Sequence, residues 1–460
     1  MRYTITFAED HYETLVGHLF SDAPTERAAY LLCGVSRTVE ETRLLVREVH
    51  PVLASDVVSS SLNHMSINSA SFMRAMKRAD HLKLSFAFVH SHPIGFSEHS
   101  TQDDEEELKL FRTAYVRIEG EGTHASVVFS APDRPRGRVW LRDGSKVEMD
   151  VVRVIGQRFR FFRRTSCCSN APLFHRQVQA FGGGLQDELR SLRIGIVGAG
   201  GTGSAVAEQL IRLGVGHLYL FDGDTLEKSN VTRVYGSGVS DGGSLKVKIL
   251  GNLAKKIGLG TEITAIDRFI TYRSAAEKLR TCDLLFGCTD DEWGRSILTR
   301  LAVYYFIPVF DMGVKISSAN GIIESIQGRV TTLTAGSACL FCRGRISSDR
   351  ISAEIMQAHD PEHAESLRRE GYLPELPGVA PAVITFTTAV ASSALTELLH
   401  RLTGFMGKDR VSTEVLHLFE QTRVRTNNRE PNPECGICAN REKWGRGDCE
   451  PFLDVTWRVE

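Results

Sequence analysis

The sequence predicts an α/β protein of two domains: a smaller α/β domain, then a doubly wound parallel sheet. Three observations predict it. From Leu192 onward, short apolar runs recur with amphipathic stretches between them, the pattern of strands alternating with helices. The first ~150 residues, by the usual domain-size prior, also mix strand and helix patterns but hold no Gly-rich loop. Between the two lies a basic, cysteine-containing stretch, "GQRFRFFRRTSCCSNAP", which reads as a connector. The expected boundaries are 1–150, a linker over 151–172, and 173–460.

The elements follow in order. "MRYTITFAEDHYETL" reads as a strand and then a helix start, without the apolar core of a secretory signal. "AAYLLCGVS", "TRLLVREVHPVL", "KLSFAFVHSH", "HASVVFSA" and "GRVWLRDG" read as strands, and "SINSASFMRAMKRADHL" has helical spacing. In the second domain "RIGIVGAG", "HLYLFDGD", "EITAIDRFI", "CDLLFGCTD" and "IPVFDMG" are the short apolar strands. The late segment "VAPAVITFTTAVASSAL" is short and rich in Thr and Ser, so it reads as a buried helix and not a membrane span. The tail after Gly436 is polar and has no readable pattern.

Composition excludes some functions. With 42% hydrophobic and 24% charged residues and a net charge of −1, the chain has no strong field for nucleic acid or a membrane surface. Ten cysteines are too sparse for a disulfide scaffold. Four of them form two CxxC pairs, which points to zinc in a reducing, cytoplasmic compartment.

"FAFVHSHP" is an apolar strand ending in His90 and His92. Residues two apart on a strand face the same way, so both imidazoles can reach one ion. A catalytic zinc needs three protein ligands and an open position, and Asp103 is the natural third. Ser100 could donate to a developing oxyanion. Glu26, just before "YLLCG", is the candidate general base. The spacing His90-x-His92, seven residues, Ser100, two residues, Asp103 resembles the JAMM motif of JAB/MPN-type metalloproteases, and Pro93 also fits. The resemblance covers roughly residues 1–145 and implies that His90, His92 and Asp103 bind zinc. It also implies that Ser100 supports the tetrahedral intermediate and that Glu26 activates water. The family cleaves ubiquitin or ubiquitin-like proteins from conjugates or precursors. This chain departs from it at Ala29, where Gly is common, and at Gly34, one place late. His99 reads as a solvated loop residue, and Asp104 to Glu107 as acids favoured by a helix N-terminus.

"GAGGTG" places Gly198, Gly200, Gly201 and Gly203 between a strand and a helix, where glycines let a backbone approach phosphates. Asp222 ends the next strand, where an acid commonly takes a ribose hydroxyl. These features alone do not separate NAD from ATP. "FDGDTLEKSNVTR" then resembles the DxDxxxxSNxxR segment of ThiF/MoeB-type and ubiquitin-activating enzymes. "FHRQVQAFG" resembles that family's RYSRQ start. The resemblance implies a Rossmann-like adenylation domain and a homodimer. Asp222 would hold ribose, Asn230 would assist at the nucleotide, and Arg233 and Lys246 would contact the triphosphate. Asp290 would hold Mg2+, and Arg176 would reach the partner subunit's ATP site. Asp291, where the family usually has Asn, is a second carboxylate for Mg2+ or merely a neighbour. Cys339, Cys342, Cys435 and Cys438 would form a closed zinc site with four thiolates.

No cysteine lies between Cys342 and Cys435, and Cys33, Cys167, Cys168, Cys282, Cys288 and Cys449 lie elsewhere. Adenylation is therefore expected without a thioester on this chain. Together the two resemblances imply a bifunctional enzyme of a prokaryotic ubiquitin-like modification pathway, using zinc, ATP and Mg2+. Its implied partners are a modifier with a Gly-rich C-terminus and a conjugating-type enzyme. The architecture is similar to that of bacterial ubiquitin-like operons, some tied to phage defence. The alternative is processing and activation of a sulfur carrier for cysteine, thiamine or molybdopterin synthesis. A non-catalytic scaffold and an NAD-dependent oxidoreductase are the readings from other classes.

Overall fold

Strands rich in Val, Ile and aromatic residues alternate with amphipathic helices along the whole chain. In the first part they are β1 (Arg2–Ala8), α1 (Glu9–Leu19), β2 (Ala28–Arg37), β3 (Glu41–Pro51), β4 (Val57–Ser60), β5 (Met65–Ile67) and α2 (Ser69–His81). Next come β6 (Ser85–Ser91), α3 (Thr101–Arg117), β7 (His124–Phe129), β8 (Pro135–Trp140), β9 (Lys146–Glu148), β10 (Val151–Ile155) and β11 (Phe159–Arg163). A computed structural model describes residues 1–60, 65–93, 96, 98–120, 122–164, 172–376, 378, 380–407 and 410–459.

Contacts divide the chain into two compact units. The first is Met1–Ser166 with Tyr304–Phe306 and Glu442–Glu450; the rest forms the second. The first unit holds a mixed sheet of order β11-β10-β1-β3-β2-β6-β7-β8-β9. Period-2 alternation gives this sheet two apolar faces. Ile5, Leu31, Val46, Val89 and Val127 pack with Tyr12, Leu15 and Leu19 of α1. Tyr30, Leu32 and Phe86 pack with Met76 of α2 and with Phe111 and Ala114 of α3.

Two stretches depart from the sequence reading. Val151–Ile155 and Phe159–Arg163 fall in the expected linker but are strands. β10 pairs in parallel with β1, and β11 folds back on β10. "VVRVI" is a nearly continuous apolar run, as a buried strand requires. Residues 165–171 of that linker, with Cys167 and Cys168, lie outside the described residues. The tail also has order: Gly447 bridges Val35, and Asp448 N donates to Val35 O at 2.8 Å. This explains Gly34. A Cβ there would sit 2.1 Å from Gly445 O, so only glycine lets the returning chain pass.

The second part runs α4 (His175–Phe181), α5 (Gly183–Ser191), β12 (Arg193–Val197), α6 (Gly201–Arg212), β13 (His217–Phe221), α7 (Lys246–Ile257), β14 (Glu262–Ile266), α8 (Arg273–Lys278) and β15 (Leu284–Gly287). It continues through α9 (Glu292–Tyr304), β16 (Val309–Ala319), β17 (Ile322–Leu333), α10 (Ser348–His359), α11 (Pro361–Arg369), α12 (Ile384–Thr403), β18 (Glu414–Leu418) and β19 (Arg423–Asn427). The sheet order is β14-β13-β12-β15-β16-β17-β18-β19. The first five strands are parallel and the rest antiparallel. These five are the runs read as strands from the sequence, as a Rossmann-like doubly wound sheet requires. Successive connections leave β12 in opposite directions, so a switch point lies between β12 and β15. Ligands of such sheets bind outside the carboxyl ends of the strands there. No described helix is long and apolar enough to cross a membrane.

Candidate metal centre and candidate nucleotide pocket

His90 lies one residue from the end of β6, where β2 pairs on one side and β7 on the other. His92 N still bonds Phe129 O at 2.8 Å, so the strand geometry runs past the second histidine. Asp103 lies in the first turn of α3, whose N-cap is Ser100. His90 Nε2 stands 3.0 Å from His92 Nε2 and 3.3 Å from Asp103 Oδ1, and His92 Nε2 stands 3.6 Å from Asp103 Oδ2. Donors bound tetrahedrally at zinc–ligand lengths of 2.0–2.1 Å would be about 3.4 Å apart. The three side chains therefore fit one zinc ion.

Ser100 fixes the third of these groups. Its N–H and hydroxyl both donate to Asp103 Oδ2, at 2.6 and 2.8 Å, and its Oγ accepts Asp103 N–H at 3.1 Å. Burial opposes ionisation of Asp103, but His90 and these donors outweigh it and hold the carboxyl well below the usual range.

Glu26 is 9% exposed and precedes β2. The β2–β6 register pairs Ala28 with His90; continued two residues, it sets Glu26 across from His92. Burial, helped by Asp103 and opposed by His90, pushes the Glu26 carboxyl up to about 7.

Ser91 carries no local signal in the sequence. It is fully buried between the two histidines and holds the Glu26 loop. Its Oγ accepts Arg27 N–H at 3.1 Å and donates to Leu19 O at 3.2 Å, while its own N–H reaches Arg27 O at 2.9 Å.

One expectation is overturned here and another is extended. The His99 side chain is not solvated but 4% exposed, with Nε2 3.2 Å from Ser126 Oγ. Burial, reinforced by Arg138 and His90, pushes it down to about 2, so it is neutral. The acids after it do more than face a helix dipole. Glu107 is 2% exposed and accepts from Ser126, Arg138 and Trp140 at 2.6–2.9 Å, while Asp104 pairs with Arg138 and Lys146 at 2.5 Å. A buried carboxylate needs such partners, and the 31-residue gap from Glu107 to Arg138 leaves no local pattern to read.

In the second unit the glycine loop joins β12 to α6. Gly198 has φ +91°, and a Cβ there would sit 2.7 Å from Cys288 O; a Cβ on Gly203 would sit 1.8 Å from Gly198 O. These two glycines close the loop against the segment after β15. Gly200 faces open space, and Gly201 packs on the Arg233 side chain. Gly203→Ala should therefore displace the loop by pushing on backbone. We expect at least ~10-fold weaker ATP binding by calorimetry, on the scale of ~1.4 kcal/mol. Wild-type affinity would show that the loop yields freely.

Asp222 is buried by β13, and burial raises its pKa against the pull of Lys246. Its Oδ2 accepts Ala199 N–H at 2.6 Å and its Oδ1 accepts Asp224 N–H at 2.8 Å, so it braces the loop from below. Lys246 opens α7 with Nζ 2.8 Å from Asp224 Oδ2, a partner the sequence reading passed over. Arg233 donates to Ser229 O at 3.1 Å, and Asn230 to Ser229 Oγ at 3.2 Å.

Asp290 is exposed beyond β15 and, among the described residues, has no hydrogen-bond or ion-pair partner. Mg2+ bound with a nucleotide uses one or two protein carboxylates beside the phosphates, and Asp290 offers one that is open. Asp291 is spent differently. It accepts from Thr289 Oγ1 and, at 2.5 Å, from Gly294 N–H, so it caps α9. Behind this loop, Asp311 is fully buried and answered by Arg329 at 2.5 Å and Arg295 at 3.3 Å. Arg176 is exposed on α4, and no described contact joins it to the loop.

Cys339 Sγ is 3.8 Å from Cys342 and 3.7 Å from Cys435, and Cys342 Sγ is 3.5 Å from Cys438. Four thiolates on zinc at 2.3 Å would be about 3.8 Å apart, so the cluster fits a tetrahedral zinc site. Asn432 N–H donates to Cys342 Sγ at 3.4 Å, a typical outer contact. Elsewhere, burial pushes the Cys33 and Cys288 thiols up, which disfavours a nucleophilic thiolate. Cys282 is fully buried and Cys449 is exposed.

Residues 174–437 match the model of the ThiF family, and residues 8–136 match prokaryotic homologs of the JAB domain. The chain is 28% identical to the "Adenylyltransferase and sulfurtransferase UBA4" of Eremothecium gossypii over 43% of its own length. It spans only 45% of that relative. It is 23% identical to the "SAMP-activating enzyme E1" of Haloferax volcanii, over 59% of this chain and 87% of that one. A solved structure of Escherichia coli MccB with MccA-N7isoASN aligns at 16% identity with a TM-score of 0.47, covering 59% of this chain and 75% of that chain.

Proposed function

The chain belongs to the ThiF family and carries a JAB-homologous domain, and from that premise we propose a bifunctional enzyme of ubiquitin-like protein modification. One observation carries the proposal: a zinc-competent His90–His92–Asp103 site beside a buried Glu26, and a glycine loop with Asp222, Lys246 and an open Asp290, occur on a single chain.

At the first site, a bound zinc would polarise the scissile carbonyl and acidify water. Glu26 takes the proton from water and returns it to the leaving amine. Ser91 keeps Glu26 at the His pair. Ser100 turns its hydroxyl from Asp103 toward the developing oxyanion. At the second site the glycine loop N–H groups cradle phosphates, Asp222 takes a ribose hydroxyl and Asn230 assists there. Lys246 and Arg233 neutralise the polyphosphate as a carboxylate attacks the α-phosphate. Asp290 would hold Mg2+, and Arg176 would serve the partner subunit's ATP site. The leaving group is pyrophosphate. The substrate on this reading is the Gly-rich C-terminus of a small ubiquitin-like protein: the first site frees it and the second activates it. The acyl-adenylate then passes to a thiol on another protein, such as a conjugating-type enzyme. The enzyme acts as a cytoplasmic homodimer, and phage defence is one setting for such a system.

ATP–pyrophosphate exchange in the presence of a Gly-ending ubiquitin-like protein tests the second site. Asp290→Ala should lower exchange at least ~10-fold, because Mg2+ supplies several kcal/mol of charge stabilisation. A wild-type rate would remove Asp290 from the reaction. The runner-up is sulfur-carrier activation, favoured by the sulfurtransferase in one relative's name. Mass spectrometry of the modifier separates the two: a thiocarboxylate means sulfur transfer, and a lysine-linked product means conjugation.

A further inference from the structure

The turn that carries Asp290 is held by a residue far away in sequence. An α-helix begins with N–H groups that have no partner within it. At α9 the protein supplies carboxylates for them. Asp291 Oδ2 takes Gly294 N–H at 2.5 Å. Glu354, on α10, takes the other two: Oε1 accepts Glu292 N–H at 3.0 Å and Oε2 accepts Trp293 N–H at 2.7 Å.

The clasp is reciprocal. Glu292 Oε2 accepts Ser347 N–H, at the start of α10, at 2.7 Å, and its Oε1 pairs with Arg350 at 3.1 Å. Each helix start is thus bound by a glutamate of the other. On the strand side, Cys288 N–H is fixed to Val197 O at 2.8 Å. Asp290 therefore sits on a short bridge anchored at both ends, and its own carboxylate stays open. A carboxylate gripping two successive N–H groups fixes both the position and the rotation of a turn. Glu354 also answers the positive end of α9. That end then does not compete for phosphate.

We propose that Glu354 is a positioning residue, holding the turn after β15 so that Asp290 meets the Mg2+ of a bound nucleotide. This rests on the reading of Asp290 given above. It makes the α10 segment part of the nucleotide site although it contributes no group that touches nucleotide.

Calorimetry of the full chain with ATPγS across a Mg2+ titration tests it. Outer contacts of metal ligands typically contribute 10–100-fold to metal affinity. In Glu354→Ala, half-maximal tightening of ATPγS should need about tenfold more Mg2+. The Mg2+-free affinity should stay within about twofold of wild type, since a lost positioning contact acts only through the metal. Glu354→Gln keeps one acceptor and should fall between; it also carries the test if the alanine variant does not fold. An unshifted Mg2+ requirement in both variants overturns the proposal. An equal loss with and without Mg2+ also overturns it, because that is general loosening. Asp290→Ala separates the two levels. If it keeps the wild-type Mg2+ dependence, the reading of Asp290 fails. If it loses that dependence while Glu354→Ala keeps it, only the positioning role fails.

Discussion

Glu26→Gln should lower amide cleavage by the first unit about 10²–10⁴-fold, the usual contribution of a positioned general base. Zinc should stay at two per chain, because no ligand is altered. Glutamine keeps the shape and the amide oxygen but cannot take a proton. The size of the effect follows from geometry. Glu26 falls across from His92 by strand register, and the Ser91 hydroxyl ties its loop to the strand that presents both histidines. Burial raises its carboxyl from the usual carboxylate range toward that of a general base. The measurement is the rate of release of a C-terminal extension from a ubiquitin-like precursor, with metal content by mass spectrometry. Wild-type cleavage by the variant would remove Glu26 from the chemistry. Loss of zinc would instead give it a structural part.

Cys438→Ser should remove one zinc per chain and destabilise the second unit. Zinc binding by four cysteines is worth roughly 10–16 kcal/mol in small zinc-folded peptides, which is as large as the whole stability of a typical domain. Here the site joins Cys339 and Cys342, after β17, to Cys435 and Cys438 near the chain's end, so releasing it frees both segments at once. A loss of only ~3 kcal/mol would lower the melting temperature by roughly 6–12 °C for a unit of this size. Calorimetry with zinc analysis checks it. An unchanged melting temperature with one zinc lost would show that the thiolates staple nothing that matters to folding.

The sequence was most legible where chemistry is set by short spacing. His90 and His92 face one way because strands repeat every second residue, and the capping geometry of Ser100 and Asp103 is local. The glycine loop and both CxxC pairs are equally local. What escaped was long-range. Ser91 works through Arg27 and Leu19, Glu107 through Arg138, and Glu354 through the start of α9. Nothing within a few residues of any of them announces its partner. His99 misled because a histidine among polar neighbours looks solvated, yet the chain folds it onto Ser126 and Glu107. "FRFFR" looked like a basic connector because its pairing strand β10 is itself recruited by β1, some 150 residues earlier.

Gly34 bears on where the chain can be cut. It is small so that Gly445, near the opposite end of the sequence, can pass over the β2 strand, and Val35 accepts Asp448 N–H there. The first unit is thus built from an early and a late stretch of the sequence, since Glu442–Glu450 belongs to it as Met1–Ser166 does. A fragment stopping at Ser166 would expose the Gly34–Val35 backbone to water and to any passing strand. The boundary of that unit in space is not its boundary in sequence.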